Sequence, residues 1–239
     1  MLLRASLLTA ALFVLGLALA PAAFGSEPIP GRHIDSLGSD EEVIRYRWRL
    51  GNLLGSLAGI FLPNEGDGVL SLSPVGSGSL ESELLITSEK ADGGEYWRYG
   101  SRIDRRSGRA LEAWSSYRWR GEEKKKREPI ASSQVVDVAS GIFQLRKDPP
   151  ETSRRMEIWS DGKIYPVVVI PLGDETVKLD SGKVRARHLS IRGLDIEGER
   201  RWKGKLDLWL AYDEAATPVK IVIERSLASV RLEMVSGGG

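Results

Sequence analysis

The chain reads as an all-β protein, mainly antiparallel: a curved sheet, or an open to partly closed β-barrel, with one amphipathic helix packed on it. Three observations predict this. Apolar and polar residues alternate with a period of two over most of the chain from Val43 onward. The alternating pieces have strand length and are separated by Gly, Asp, Asn and Pro. One segment, Ser133 to Arg146, instead places Val135, Val136, Val138, Ala139, Ile142, Phe143 and Leu145 at helical spacing, just before Pro149-Pro150.

The chain opens with a secretory leader by pattern. Arg4 precedes an apolar run from Ala5 to Ala20 and then small residues around Pro21 to Gly25, the three-part layout of a signal peptide. The run is too short to span a bilayer comfortably. Residues 1–25 are therefore expected to be removed, with cleavage after Gly25 preferred to cleavage after Ala22. The mature protein is expected in the periplasm, with no stable transmembrane anchor left and no nucleic acid as partner. Residues 26–41, rich in Pro, Gly, Ser and Asp, form an arm. A single antiparallel β domain is expected over 42–235, with a flexible tail at 236–239.

Strands are expected in order at Glu42 to Leu50, Gly68 to Ser73, Leu80 to Ser88, Glu95 to Asp104, Ala110 to Arg120 and Glu123 to Ile130. After the helix come Met156 to Trp159 and Lys163 to Ile170 around the turn dipeptide Asp161-Gly162, whose residues tolerate positive φ. Val184 to Ile191 follows the turn Asp180-Ser181-Gly182. A closing meander runs through Lys205 to Tyr212, Val219 to Glu224 and Val230 to Met234. In its first strand Leu206, Leu208, Leu210 and Tyr212 share one face, and Lys205, Asp207, Trp209 and Ala211 share the other.

Composition narrows the chemistry. Arg4 is the only ionisable side chain of the leader, so the mature chain is formally neutral and offers no global pull on anionic polymers. Without cysteine there is no disulfide, thiolate metal site, thiol nucleophile or lipobox anchor. The two histidines, His33 in the arm and His188 in a strand, specify neither zinc nor a nucleophile's base. His188 reads as a partly buried histidine satisfied by a neighbour. The carboxylate pairs Asp213/Glu214 and Glu197/Glu199 fall in turns, where acidic residues serve turn chemistry. Neither catalytic residues nor a metal or cofactor site is assigned.

Binding is the better lead. Helix and curved sheet would leave a cleft between them, an ordinary place for an apolar ligand. Val138, Ile142, Phe143 and Trp209 are the candidate lining. The uncharged stretch Asn52 to Pro63 suggests a second contact surface through Leu53, Leu54, Leu57, Ile60, Phe61 and Leu62. The basic run from Arg118 to Arg127 is broken by glutamates and reads as a charged hairpin tip guarding a strand edge, with a weak contact to lipopolysaccharide or anionic lipid as the alternative. The leading expectation is an exported, non-catalytic protein that binds a lipid-like or amphipathic ligand, or an envelope component, in the cleft. The alternative is a periplasmic scaffold with a filled core, docking on an envelope protein through residues 53–62 or a sheet edge. A carboxylate-based hydrolase ranks third.

Three motifs carry a resemblance. Gly204-Lys205-Leu206-Asp207-Leu208-Trp209-Leu210-Ala211-Tyr212-Asp213 followed by Thr217-Pro218-Val219-Lys220-Ile221, then Val136 to Arg146, then Asp161-Gly162-Lys163-Ile164-Tyr165 continuing to Gly182 to Ala186, together resemble a bacterial exported family known as domain of unknown function 3108. The likeness spans about Glu42 to Val235. It implies the β fold and export, and it assigns no catalytic residue.

Overall fold

The computed structural model describes residues 41–51, 65–88, 94–119, 121–132, 134–198, 201–225 and 228–235. Residues 1–25, most of the arm, the tail and the stretch Leu53 to Leu62 lie outside them. The described chain forms thirteen strands and one helix: β1 (Glu42–Leu50), β2 (Glu65–Val75), β3 (Ser79–Ser88), β4 (Tyr96–Asp104), β5 (Ala110–Trp119), β6 (Glu122–Pro129), β7 (Val135–Val136), α1 (Val138–Lys147), β8 (Arg154–Ser160), β9 (Lys163–Leu179), β10 (Gly182–Gly193), β11 (Gly204–Ala211), β12 (Pro218–Arg225) and β13 (Ala228–Met234).

All thirteen strands belong to one sheet, ordered β6-β5-β4-β3-β2-β1-β13-β12-β11-β10-β9-β8-β7. It is a meander whose first and last strands pair in the middle, as Trp48 opposite Leu232 shows. Neighbours are antiparallel except β7 and β8. The two edge strands, β6 and β7, are separated by only residues 130–134 in sequence. Such a link spans at most roughly 20 Å, so the sheet has to curl until its edges approach. Among the described residues no ladder joins those edges, and the barrel stays open. Side chains bridge the seam instead: Trp159 Nε1 donates to Glu128 Oε2 at 3.3 Å, and Ala110, Ala113 and Ile130 pack with Val135 and Trp159.

The inner face is layered. Trp48, Leu232, Ile221, Leu208 and Leu189 face one another across five strands and are all buried. The next rung, Leu50, Val230, Ile223, Leu206 and Ile191, lies nearer one end of the barrel. There Leu50, Val230 and Ile223 are only partly buried. Edge strand β6 exposes nearly all of Glu122 to Pro129; this charged edge discourages pairing with another chain.

Two expectations change. The helix begins at Val138, not Ser133, because the β-branched pair Val135-Val136 forms a parallel bridge to Glu157-Ile158, and Asp137 then caps the helix. Strand β9 continues past Ile170 to Leu179. Its register shifts opposite His188 and Leu189, leaving Leu172 unpaired between Pro171 and Gly173, and a bulge of this kind tolerates a proline inside a strand.

Candidate functional site

The helix is held at both ends by polar contacts. At its start Asp137, 1 % exposed, accepts from the backbone N–H of Ala139 and Ser140 at 3.0 Å each. It also accepts from Ser101 Oγ on β4 at 2.7 Å and from the Ser140 hydroxyl. Ser140 Oγ in turn accepts from the Asp137 N–H at 3.0 Å, completing a capping box. Ser82 Oγ on β3 lies 3.1 Å from Ser101 Oγ, so the cap is wired into two strands. At the far end the buried Arg146 donates through Nη2 to Glu42 Oε1 at 2.6 Å and to the Ala215 carbonyl at 3.0 Å. Beside it Tyr46, whose phenol burial pushes up, donates to the Pro218 carbonyl at 2.8 Å.

The other flank of the helix, towards β8 to β11, is apolar. A crevice of about 30 Å³ runs there, lined by Val138, Ile142 and Leu145 from the helix, Ile158, Val167 and Ile191 from the sheet, and Trp202. Asp137 touches it too, but its oxygens are spent on the cap. Trp202 is tucked in by two glycines: a Cβ on Gly193 would lie 2.2 Å from the Trp202 carbonyl oxygen, and one on Gly204 would lie 2.7 Å from the indole ring. Side chains at those positions would expel it.

The structure separates the four candidate ligand residues. Val138 and Ile142 line the crevice. Phe143 is buried in the main core, with the Arg146 guanidinium 5.2 Å from its ring centroid. Trp209 lies on the opposite face of the sheet, because it pairs with His188 while Leu208 pairs with Leu189 and successive residues alternate. The six candidates from Leu53 to Leu62 fall outside the described residues. Absent from the sequence reading were Asp137 and Arg146 as anchors and Trp202 as lining. Asp137-x-x-Ser140 is a recognisable capping spacing; nothing local marks Trp202.

On the outer face Trp209 belongs to a polar cluster. Its ring stacks on His188 at 4.1 Å between centroids, its Nε1 donates to Glu175 Oε2 at 2.9 Å, and Lys220 Nζ lies 4.2 Å from its centroid. His188 Nδ1 is 2.8 Å from Glu175 Oε1. Asp207 is bound by Lys205 Nζ at 2.6 Å and lies 3.6 Å from His188 Nε2. The hydrogen bonds from Trp209 and then His188 hold the Glu175 carboxyl below its ordinary value of 4.5. The cluster fastens four strands, β9 to β12.

A depressed carboxyl stabilises the fold above its unfolded-state pKa and loses that contribution as pH falls through the lowered folded value. Glu175→Gln, which keeps an acceptor for Trp209, is therefore expected to be less stable than wild type at pH 6 to 7, with the gap closing as pH drops below 4.5. Glu175 is about half exposed, so the gap is expected to stay under about 1 kcal/mol. Urea midpoints from pH 7 to pH 3 check this. A gap that does not shrink with acid would mean the charge of Glu175 is not what matters.

Fold and site together define an open antiparallel β-barrel plugged by one helix, with an apolar crevice along the helix. Residues 105–235 match the family described as Protein of unknown function (DUF3108), more than half of the chain, and the chain belongs to that family. The match takes in β5 to β13 and α1; β1 to β4 precede it. Among curated proteins none matches the chain. Among solved structures the chain is similar to a β-barrel-like protein of domain of unknown function DUF1849 from Brucella abortus, at 10 % identity and a TM-score of 0.44, covering 81 % of this chain and 95 % of that one. It is also similar to the Mycobacterium tuberculosis lipoprotein LppX, at 12 % identity and a TM-score of 0.28, over 81 % of this chain and 84 % of that one. Function is carried by sites and not by folds, so what this chain binds has to be read from its own side chains.

Proposed function

We propose that this protein is an exported, non-catalytic binding protein that takes a lipid-like or amphipathic ligand between α1 and the inner face of β8 to β11. The observation that carries the proposal is the asymmetry of the helix. Its ends are locked by Asp137 and Arg146, while its β8 to β11 flank faces apolar side chains across a gap. A crevice of about 30 Å³ has room for one or two waters at most. Ligand entry then requires that flank of the helix, or Trp202, to move outward, which breaks apolar contacts and leaves the polar anchors intact. Export rests on the leader pattern; among the described residues no helix is long and apolar enough to cross a membrane. A non-catalytic role is supported by Asp137, whose carboxylate already serves the helix cap.

The test is native mass spectrometry, with lipid extraction, on protein purified from the periplasm without detergent. The expected result is a bound mass that Ile142→Arg removes while the circular dichroism spectrum is kept. Val138→Arg, nearer the helix start, provides a second variant if Ile142→Arg does not fold. Ligand-free wild type that also fails to take up a long-chain alcohol would overturn the reading.

A further inference from the structure

The ligand's polar end can be read from the inner face of β3 to β6. Two neighbouring rungs cross these strands there. One runs Ile86, Trp97, Tyr117, Lys124 and the other Leu84, Tyr99, Ser115, Lys126. Ile86 and Leu84 are core, and Trp97 is partly buried against that core. Each rung therefore passes from aliphatic to aromatic to polar and ends on an exposed ammonium at the sheet edge.

The cations on the two faces of these strands differ. On the outer face Arg98 pairs with Glu83 at 3.3 Å, Arg118 with Glu123 at 3.4 Å, Lys125 with Glu123 at 3.0 Å and Arg127 with Glu112 at 3.6 Å. On the inner face Lys124 lies 5.8 Å from the Tyr117 ring centroid, and neither it nor Lys126 makes an ion pair among the described residues. Glu128, on the same face, is engaged by Trp159. A side-chain hydrogen bond with Tyr117, and after it the field of Glu122, the other carboxylate there at the start of β6, push the Lys124 ammonium up. The Lys126 stem lies beside the β8–β9 turn, where a Cβ on Gly162 would be 3.6 Å from its Cδ.

Resting on the proposed cleft, we infer that the ligand is an anionic amphiphile: its chain enters the crevice, its first methylenes or ring lie on Trp97 and Tyr117, and its phosphate or carboxylate is met by Lys124 and Lys126. Aromatic side chains with one apolar body and one polar tip suit the junction between tail and head, and ammonium groups at a rim that no described carboxylate neutralises attract an anion as point charges.

Isothermal titration of the purified protein with dodecyl phosphate, dodecanol, dodecyltrimethylammonium and inorganic phosphate tests the assignment. Dodecyl phosphate is expected to bind at least tenfold more tightly than dodecanol, and the cationic probe more weakly than either. Lys124→Glu with Lys126→Glu is expected to abolish the phosphate preference and leave dodecanol affinity within about twofold; both side chains are exposed, so an unchanged melting temperature serves as the folding control. Equal affinity for dodecyl phosphate and dodecanol, or a preference that survives the double variant, overturns the head-group assignment and leaves the cleft standing. Inorganic phosphate binding as tightly as dodecyl phosphate overturns the amphiphile in favour of a bare anion. If none of the four probes binds, the assignment falls together with the cleft.

Discussion

Asp137→Ala is expected to lower the unfolding free energy by about 3 to 5 kcal/mol, an effect unusual for a side chain in a polar cap. A solvent-exposed N-cap is worth roughly 1 kcal/mol, because water replaces the lost acceptor. Asp137 is almost fully buried. Its loss strands the N–H groups of Ala139 and Ser140 and the hydroxyl of Ser101, and each buried donor left without a partner costs about 1 to 3 kcal/mol. Asp137→Asn keeps a carbonyl acceptor and is expected to lose about half as much. Urea unfolding with an unchanged slope measures both, and hydrogen exchange at Ala139 and Ser140 localises the loss. A destabilisation below about 1 kcal/mol would mean that water reaches the cap, and that the helix start is not the fixed end required by an opening flank.

The helix as a whole was legible before its beginning was. Period 3.6 over residues 133–146 marks an amphipathic segment, and five of its apolar members do fall in α1. Val135 and Val136 satisfy the same spacing, yet they sit in a parallel bridge to β8. A two-residue strand carries too few side chains to show a period of its own, and only the tertiary partner decides between helix and strand. Strand β9 teaches a related lesson: alternation fails at Leu172, where one residue drops out of the pairing, and a pattern read residue by residue stops at the first break.

Alternation also told the two faces of β11 apart without saying which one looks inward. Leu206, Leu208 and Leu210 were placed together with Tyr212, opposite Asp207, Trp209 and Ala211; the pairing agrees for the leucines, while β11 ends at Ala211 and Tyr212 beyond it is exposed. Both sets turn out buried. The leucines join the main core, while Trp209 and Ala211 join a second cluster with Val177, Leu179, Ala186 and Val219 on the other face. Aromatic size suggested Trp209 as a ligand residue; its stacking on His188 and its bond to Glu175 are cross-strand relations that no single strand reveals. The edge lysines were legible as edge protection. That no described carboxylate forms an ion pair with them on the inner face was not, since it depends on which carboxylates the neighbouring strands supply.

Trp202→Ala is the substitution expected to change the cleft most. The indole is 7 % exposed and lines the crevice beside Leu206 and Ile191, so its removal should cost about 3 to 5 kcal/mol. That cost rises with the volume of cavity left behind, so the measured loss itself reports whether the site collapses. Apolar cavities of about 150 Å³ stay dry and accept benzene-sized guests. Indole or toluene is therefore expected to raise the melting temperature of Trp202→Ala and to leave wild type unchanged. Saturation to a hundred times the dissociation constant would restore about 2.7 kcal/mol. Trp209→Ala is the matched control: it deletes an indole of equal size from the outer face, and neither guest is expected to rescue it. A small loss for Trp202→Ala with no rescue would show that helix and sheet close over the gap, leaving no space in which a chain could be held. A large loss with rescue would establish that the space under α1 persists when its cover is removed, which is the property a binding cleft needs.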